Sequence, residues 1–232
     1  MFFEPEKFMP ENLRYAVSPP DLDDMEGEDL REFAEQGGRD TKNAAVLSLQ
    51  QAVDAHIEDE IDRDEYDRIE QQAVDAVVDY YSGREPEPVQ VPDTDISTRQ
   101  SGFLTHETVV RHFPSEISNY DWVEYVAPVA SGGLEPGIVA SEALDADLQV
   151  VRYSTNDHGD ERPIGIDEEY EGDVLVVDDT SYTGETLETV EEFVYENGAD
   201  RVESEAVIDG QLGGTMKLVN SYRRELADRL DF

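Results

Sequence analysis

The sequence predicts an α/β fold of three layers, a central, largely parallel β-sheet flanked by helices, with an N-terminal helical extension. Three observations carry this. Beyond residue 120, short apolar runs alternate with helix-period segments, the signature of βαβ units. Residues 174–177 (Val-Leu-Val-Val) form an uninterrupted apolar run, as in a strand buried on both faces. Between Thr41 and Gly83 the apolar positions instead recur at helical spacing.

In chain order, residues 1–41 hold Pro19-Pro20, three acids within 21–24 and Gly37-Gly38, show little periodicity, and read as an acidic lead-in arm. Residues 42–104 read as a helical hairpin and an extended linker. Val46, Leu49, Val53 and Ile57 mark its first helix, and Tyr66, Ile69, Ala73, Val77 and Tyr80 its second. The linker is 86–92, rich in proline and acid. The α/β domain is expected over 105–232, opening with a short helix at 105–118 interrupted near Pro114. Strand 122–129, helix 134–144, strand 148–153, strand 173–177, helix 185–197 and strand 201–208 follow. An amphipathic helix over 216–230, after Gly213-Gly214, closes the chain.

Composition narrows the function. The net charge is −40, from 57 acidic and 17 basic residues, so nucleic-acid backbone would be repelled and no nucleic-acid partner is expected. Lysine occurs only at positions 7, 42 and 217, and carboxylates are spread over every segment. That pattern suits a halophile's cytoplasm, because in molar salt the Debye length falls to about 3 Å and neighbouring carboxylates repel far less. There is no cysteine, which excludes disulfides, thiolate nucleophiles and thiolate-bound metal. No apolar run approaches the roughly 18 residues of a membrane span, so no membrane partner is expected.

The chemistry concentrates in 174–186, where the apolar strand gives way to Asp178-Asp179-Thr180-Ser181-Tyr182-Thr183-Gly184-Glu185-Thr186 and then a helix. A helix N-terminus presents unpaired amides and partial positive charge, which makes the 180–184 turn a cradle for phosphate. Thr183 and Thr186 add hydroxyl donors, and Gly184 lets backbone and phosphate approach closely. Two adjacent carboxylates at a strand's carboxyl end suit vicinal sugar hydroxyls. Together these features describe a ribose phosphate. An acidic pair also opens response-regulator receivers, but only 54 residues follow Asp178, too few for that fold.

The stretch resembles the phosphoribosyl pyrophosphate (PRPP) motif of the type I phosphoribosyltransferases: apolar residues, two acids, three variable positions, then Thr-Gly-x-Thr. The resemblance covers roughly 105–210. It implies that Asp178 and Asp179, the catalytic-site acids, hold the ribose hydroxyls, and that Thr180, Ser181, Tyr182, Thr183, Gly184 and Thr186 bind the 5-phosphate. It further implies that Ser131, Gly132 and Gly133, after the 122–129 strand, bind pyrophosphate with Arg152, although Arg152 reads equally as half of a surface ion pair. Implied activity is transfer of ribose 5-phosphate from PRPP to a nucleobase in nucleotide salvage. The partners would be PRPP and a base or nucleoside monophosphate, and the cofactor Mg2+ carried chiefly on PRPP's own oxygens. A cytoplasmic homodimer is expected.

The sequence departs from the family in places. Between 154 and 173 it has His158 and Arg162 but no lysine, unlike the orotate enzymes, and Tyr182 stands where the hypoxanthine and guanine enzymes carry an acid. A PRPP- or nucleotide-binding regulator without turnover is the alternative reading.

Overall fold

The computed structural model describes residues 27–94, 107–153, 163–166, 169–170, 172–181, 184–210 and 216–218. Its elements are α1 (Gly27–Ala34), α2 (Gly38–Ile57), α3 (Arg63–Tyr81), α4 (Glu107–Glu116), β1 (Tyr125–Ala130), α5 (Leu134–Leu144), β2 (Asp147–Leu148), β3 (Val151–Arg152), β4 (Ile164–Gly165), β5 (Asp173–Ser181), α6 (Glu185–Glu196), β6 (Arg201–Gly210) and β7 (Met216–Leu218). The strand order is β4-β3-β1-β5-β6-β7, with β2 also on β1. The centre is parallel, and β4 and β7 are antiparallel edges.

The period-2 alternation of side chains across the sheet explains its two coated faces. Val126, Leu175, Val177 and Val207 pack with Phe113 of α4, Ile117 just after it, and Ala140 of α5. Their sequence neighbours Ala127, Val174 and Val176, with Val129 and Val151, pack on Leu187, Val190 and Val194 of α6. From β1 the chain moves to β3 on one side and then returns to β5 on the other. Such a reversal opens a crevice at the carboxyl ends of the strands.

The helical hairpin is built into this core. Leu49, Val53, Tyr66, Ile69 and Val77 share one apolar cluster with Ala130, Leu134, Ile138 and Val150. Helix α2 is buried on nearly all sides, polar residues Lys42, Asn43, Ser48, Gln50 and Gln51 included. Asp62 caps α3, its carboxylate accepting from the Glu65 amide at 2.9 Å.

Several expectations are corrected. Part of the supposedly unstructured lead-in is helical: Leu30 and Ala34 of α1 bury against Ala44, Leu47 and Val91, and the Thr41 hydroxyl donates to the Ala34 carbonyl at 2.7 Å. Two apolar residues on one face are too few to register as periodicity, and tertiary contact supplies the rest. Helix α4 runs through Pro114 instead of breaking there. The proline removes one bond in the last turn, while buried Phe113 and Ile117 and the Ile117 amide bonded to the Phe113 carbonyl keep that turn in place. Strand β1 starts at Tyr125 because the Val123 amide turns back to the Tyr120 carbonyl. The strand expected over 148–153 is broken into β2 and β3, which hold a common register on β1. Met216–Leu218 is a strand, not a helix: it pairs with Ile208, Asp209 and Gly210 and so satisfies an edge of β6 that would otherwise stay open. The rest of the expected 216–230 helix lies outside the described residues.

Candidate active site

Two strand-turn-helix units meet at the carboxyl ends of β1 and β5. After β1, the turn of Ser131, Gly132 and Gly133 leads straight into α5; its Ala130–Ser131 peptide is cis, the Gly133 amide donates to the Val129 carbonyl at 2.8 Å, and the Leu134 amide donates to Ser131 at 3.2 Å. After β5, Gly184 caps α6 with φ 82° and ψ −7°. The two units touch. A Cβ on Gly132 would lie 2.5 Å from Oδ1 of Asp179, and one on Gly133 would overlap the Val177 carbonyl oxygen and sit 2.7 Å from the Val129 nitrogen. At Gly133 only hydrogen fits against the strand backbones, and at Gly132 a larger group would have to displace the Asp179 carboxylate.

Asp178 is buried, and its Oδ1 accepts from the Asp179 amide at 2.8 Å. Burial pushes its carboxyl well above the usual range, and the neighbouring Asp179 charge adds to the shift. Asp179 is raised to about 6 by burial, held from going further by hydrogen bonds from Asp178 and Thr180. Two carboxyls poised in this way gain from any ligand that brings hydroxyl donors or positive charge. Their oxygen donors suit a hard cation such as Mg2+, and among the described residues no group of three potential ligands could hold a metal alone.

Thr180 and Ser181 are not in the turn, as expected from the sequence, but are the last residues of β5, opposite Ile208 and Asp209 of β6. The ladder with β6 carries the strand past the acidic pair. Thr186 lies half-buried in the first turn of α6, beside exposed Glu185 and Glu188. Tyr182, Thr183, His158 and Arg162 lie outside the described residues.

Register places Arg152 next to the glycine turn, since Arg152 pairs with Ala130 on β1. Its Nε donates to Oδ1 of Asp54 on α2 at 2.7 Å, both side chains being partly exposed. The other end of α2 reaches the same region. Lys42 Nζ lies 2.5 Å from Oε1 of Glu135, in the first turn of α5, and the Tyr81 hydroxyl donates to the same oxygen at 2.6 Å. Both charged groups are buried, and Oε2 of Glu135 has no partner among the described residues. Sequence reasoning missed Asp54, Lys42 and Glu135 as neighbours of the site. Their one signal was charge on helices otherwise dominated by apolar and small residues.

The model of the phosphoribosyl transferase domain family matches residues 104–223, just over half of the chain. Curated protein sequences give no match. Among solved structures, the purine phosphoribosyltransferase of Pyrococcus horikoshii is 29% identical, with 43% of this chain and 70% of that one covered and a TM-score of 0.35. The orotate phosphoribosyltransferase of Aeropyrum pernix is 22% identical over 62% and 77% of the two chains, with a TM-score of 0.38. For the adenine phosphoribosyltransferase of Saccharomyces cerevisiae the values are 21%, 46%, 68% and 0.37. No helix among the described residues is long and apolar enough to cross a membrane.

Proposed function

The chain belongs to the phosphoribosyl transferase domain family, and from that premise we propose that it transfers ribose 5-phosphate from PRPP to a nucleobase. The observation that carries this reading is the contact of Gly132 with Asp179, which brings the expected pyrophosphate turn within reach of the expected ribose acids. A phosphoribosyl donor needs both at once, one on each side of its anomeric carbon.

In the reaction, a ring nitrogen of the base forms the bond to that carbon while the bond to the pyrophosphate oxygen breaks, and pyrophosphate leaves with the electron pair. Positive charge develops on the ribose in between. Asp178 and Asp179 would hold the 2- and 3-hydroxyls and keep the ring in line. The amides and hydroxyls at the start of α6, with Thr180, Ser181, Tyr182, Thr183, Gly184 and Thr186, would take the 5-phosphate. Ser131, Gly132, Gly133 and Arg152 would receive the pyrophosphate. Mg2+ bound to the donor's own oxygens and resting against Asp178 and Asp179 would supply charge neutralisation on the leaving group. The extreme acidity favours a salt-rich cytoplasm as the setting, and the family's habit favours a homodimer.

Incubation of the full chain with PRPP, Mg2+ and a panel of purine and pyrimidine bases in molar salt tests the proposal. Pyrophosphate release with at least one base is the expected result. Binding of PRPP without release for any base would favour the regulatory reading, to which the absence of lysine between 154 and 173 already lends weight.

A further inference from the structure

We propose that Asp54, on the N-terminal hairpin, is a positioning residue that aims the Arg152 guanidinium at the diphosphate end of the donor. This rests on the function proposed above and makes α2 a working part of the site.

Register supplies the first part of the argument. Parallel neighbours stand about 4.8 Å apart, so pairing with Ala130 sets the Arg152 backbone beside the peptide that opens the glycine turn. Among the described residues, Arg152 is the only cation carried by β1, β3 or β5 themselves at their carboxyl ends, the nearby Lys42 being engaged by Glu135. A pyrophosphate in the turn has no nearer positive side chain on those strands.

The contact itself supplies the second. An arginine fork offers five donors, and Asp54 engages it through Nε at 2.7 Å, which among the described residues leaves the two terminal nitrogens for another anion. Both side chains keep part of their surface in solvent, 23% for Arg152 and 20% for Asp54, so the pair is accessible rather than sealed. A long, flexible side chain presents a fixed face only when something holds its stem, and a carboxylate on Nε does so.

The support is the third. Positioning needs a rigid base, and α2 is enclosed on almost every side. Val53 and Ala55, flanking Asp54, are fully buried, and the buried Lys42–Glu135 pair pins the same helix to the first turn of α5. One helix therefore contacts both β3, beside the glycine turn, and α5, which follows it.

Calorimetry in Mg2+-containing buffer at fixed salt, on the full chain, tests this with three probes: PRPP, inorganic pyrophosphate and a nucleoside monophosphate. Asp54→Asn should weaken PRPP and pyrophosphate about tenfold, the usual scale for removing a supporting hydrogen bond, and leave the monophosphate unchanged. Asp54→Glu should recover part of the loss. Arg152→Gln should lose as much as Asp54→Asn, and the double variant no more than Arg152→Gln alone, because the two act through one group. Equal losses for all three probes, or unchanged or tighter pyrophosphate binding in Asp54→Asn, would overturn the role. If Asp54→Asn fails to fold, full pyrophosphate affinity in a folded Arg152→Gln overturns it instead. Wild-type protein that binds none of the probes would remove the proposed function as well, a result distinct from failure at Asp54 alone.

Discussion

At the end of β1, Gly132 and Gly133 are packed so closely that a methyl group at either would meet other atoms at less than van der Waals distance, whereas at the end of β5 no atom of the described residues lies within 4 Å of where a Cβ on Gly184 would stand. The first pair is needed for space and the second glycine for its left-handed backbone, φ 82°. The difference is informative about the two half-sites. The first turn is fixed by packing before any ligand arrives, while the second has an open approach that a ligand could fill.

The largest effect expected from this contrast is at Gly133. The atoms that its Cβ would strike are backbone atoms of Val177 and Val129, on two paired central strands, which cannot rotate away. Gly133→Ala should cost about 4 kcal/mol or prevent folding. Chemical denaturation reads this directly, and a loss below about 1 kcal/mol would show that the turn yields.

Asp179, the group wedged against Gly132, comes next. Its carboxyl is raised to about 6 from an ordinary 3.8, so the folded protein holds the proton more tightly than the unfolded chain. The stability this gives is complete below about pH 4 and is lost as pH rises through about 6. At pH 7 the charged, buried group is a cost. Asp179→Asn should therefore stabilise the ligand-free protein at pH 7 by about 2 kcal/mol, allowing for the solvent that still reaches the site, and abolish PRPP binding. Denaturation midpoints at pH 4 and pH 7 check it: the variant should gain at 7 and not at 4.

A smaller effect is expected at Gly132, because what its Cβ would meet is the tip of a side chain. Gly132→Ala should fold, push the Asp179 carboxylate aside and weaken PRPP and nucleoside monophosphate alike by about tenfold, or roughly 1.4 kcal/mol. Calorimetry of the two ligands decides. A loss confined to PRPP would mean that Asp179 moves without penalty and that the turn serves pyrophosphate alone.

What the sequence revealed, and what it did not, follows the same line between local and distant causes. The apolar run at 174–177, the acidic pair and the helix after Gly184 are local patterns, and β5 begins and α6 lies where expected, although β5 runs on to Ser181. The hairpin was legible for the same reason, from the 3.6-residue recurrence of Leu49, Val53, Ile69, Ala73 and Val77. The strand pairing of Met216–Leu218 was hidden, because its ladder partner on β6, not its own pattern, decides its form. Nor could residue spacing alone bring Gly132 onto Asp179 or Asp54 onto Arg152. Those contacts are set by strand register and by how α2 packs, and no short window of sequence contains either.

The mildest perturbation, Gly184→Ala, separates backbone conformation from ligand approach. Among the described residues the new methyl group meets no atom within 4 Å, so the expected cost is that of holding a left-handed conformation without glycine, about 1 kcal/mol. For a chain of this size that lowers the melting temperature by roughly 2–4 °C. Gly184→Asn should lose less, since asparagine tolerates the left-handed region. Ligand affinity carries the sharper information. If a 5-phosphate approaches the backbone at the start of α6, the methyl group occupies part of its path, and nucleoside monophosphate should bind Gly184→Ala several-fold more weakly, about 1 kcal/mol, than the small stability change alone would suggest. The asparagine variant should bind at least as weakly while folding better, so that stability and affinity move in opposite directions between the two. Unchanged affinity in both would place the phosphate away from Gly184 and leave the openness of this turn to some other use.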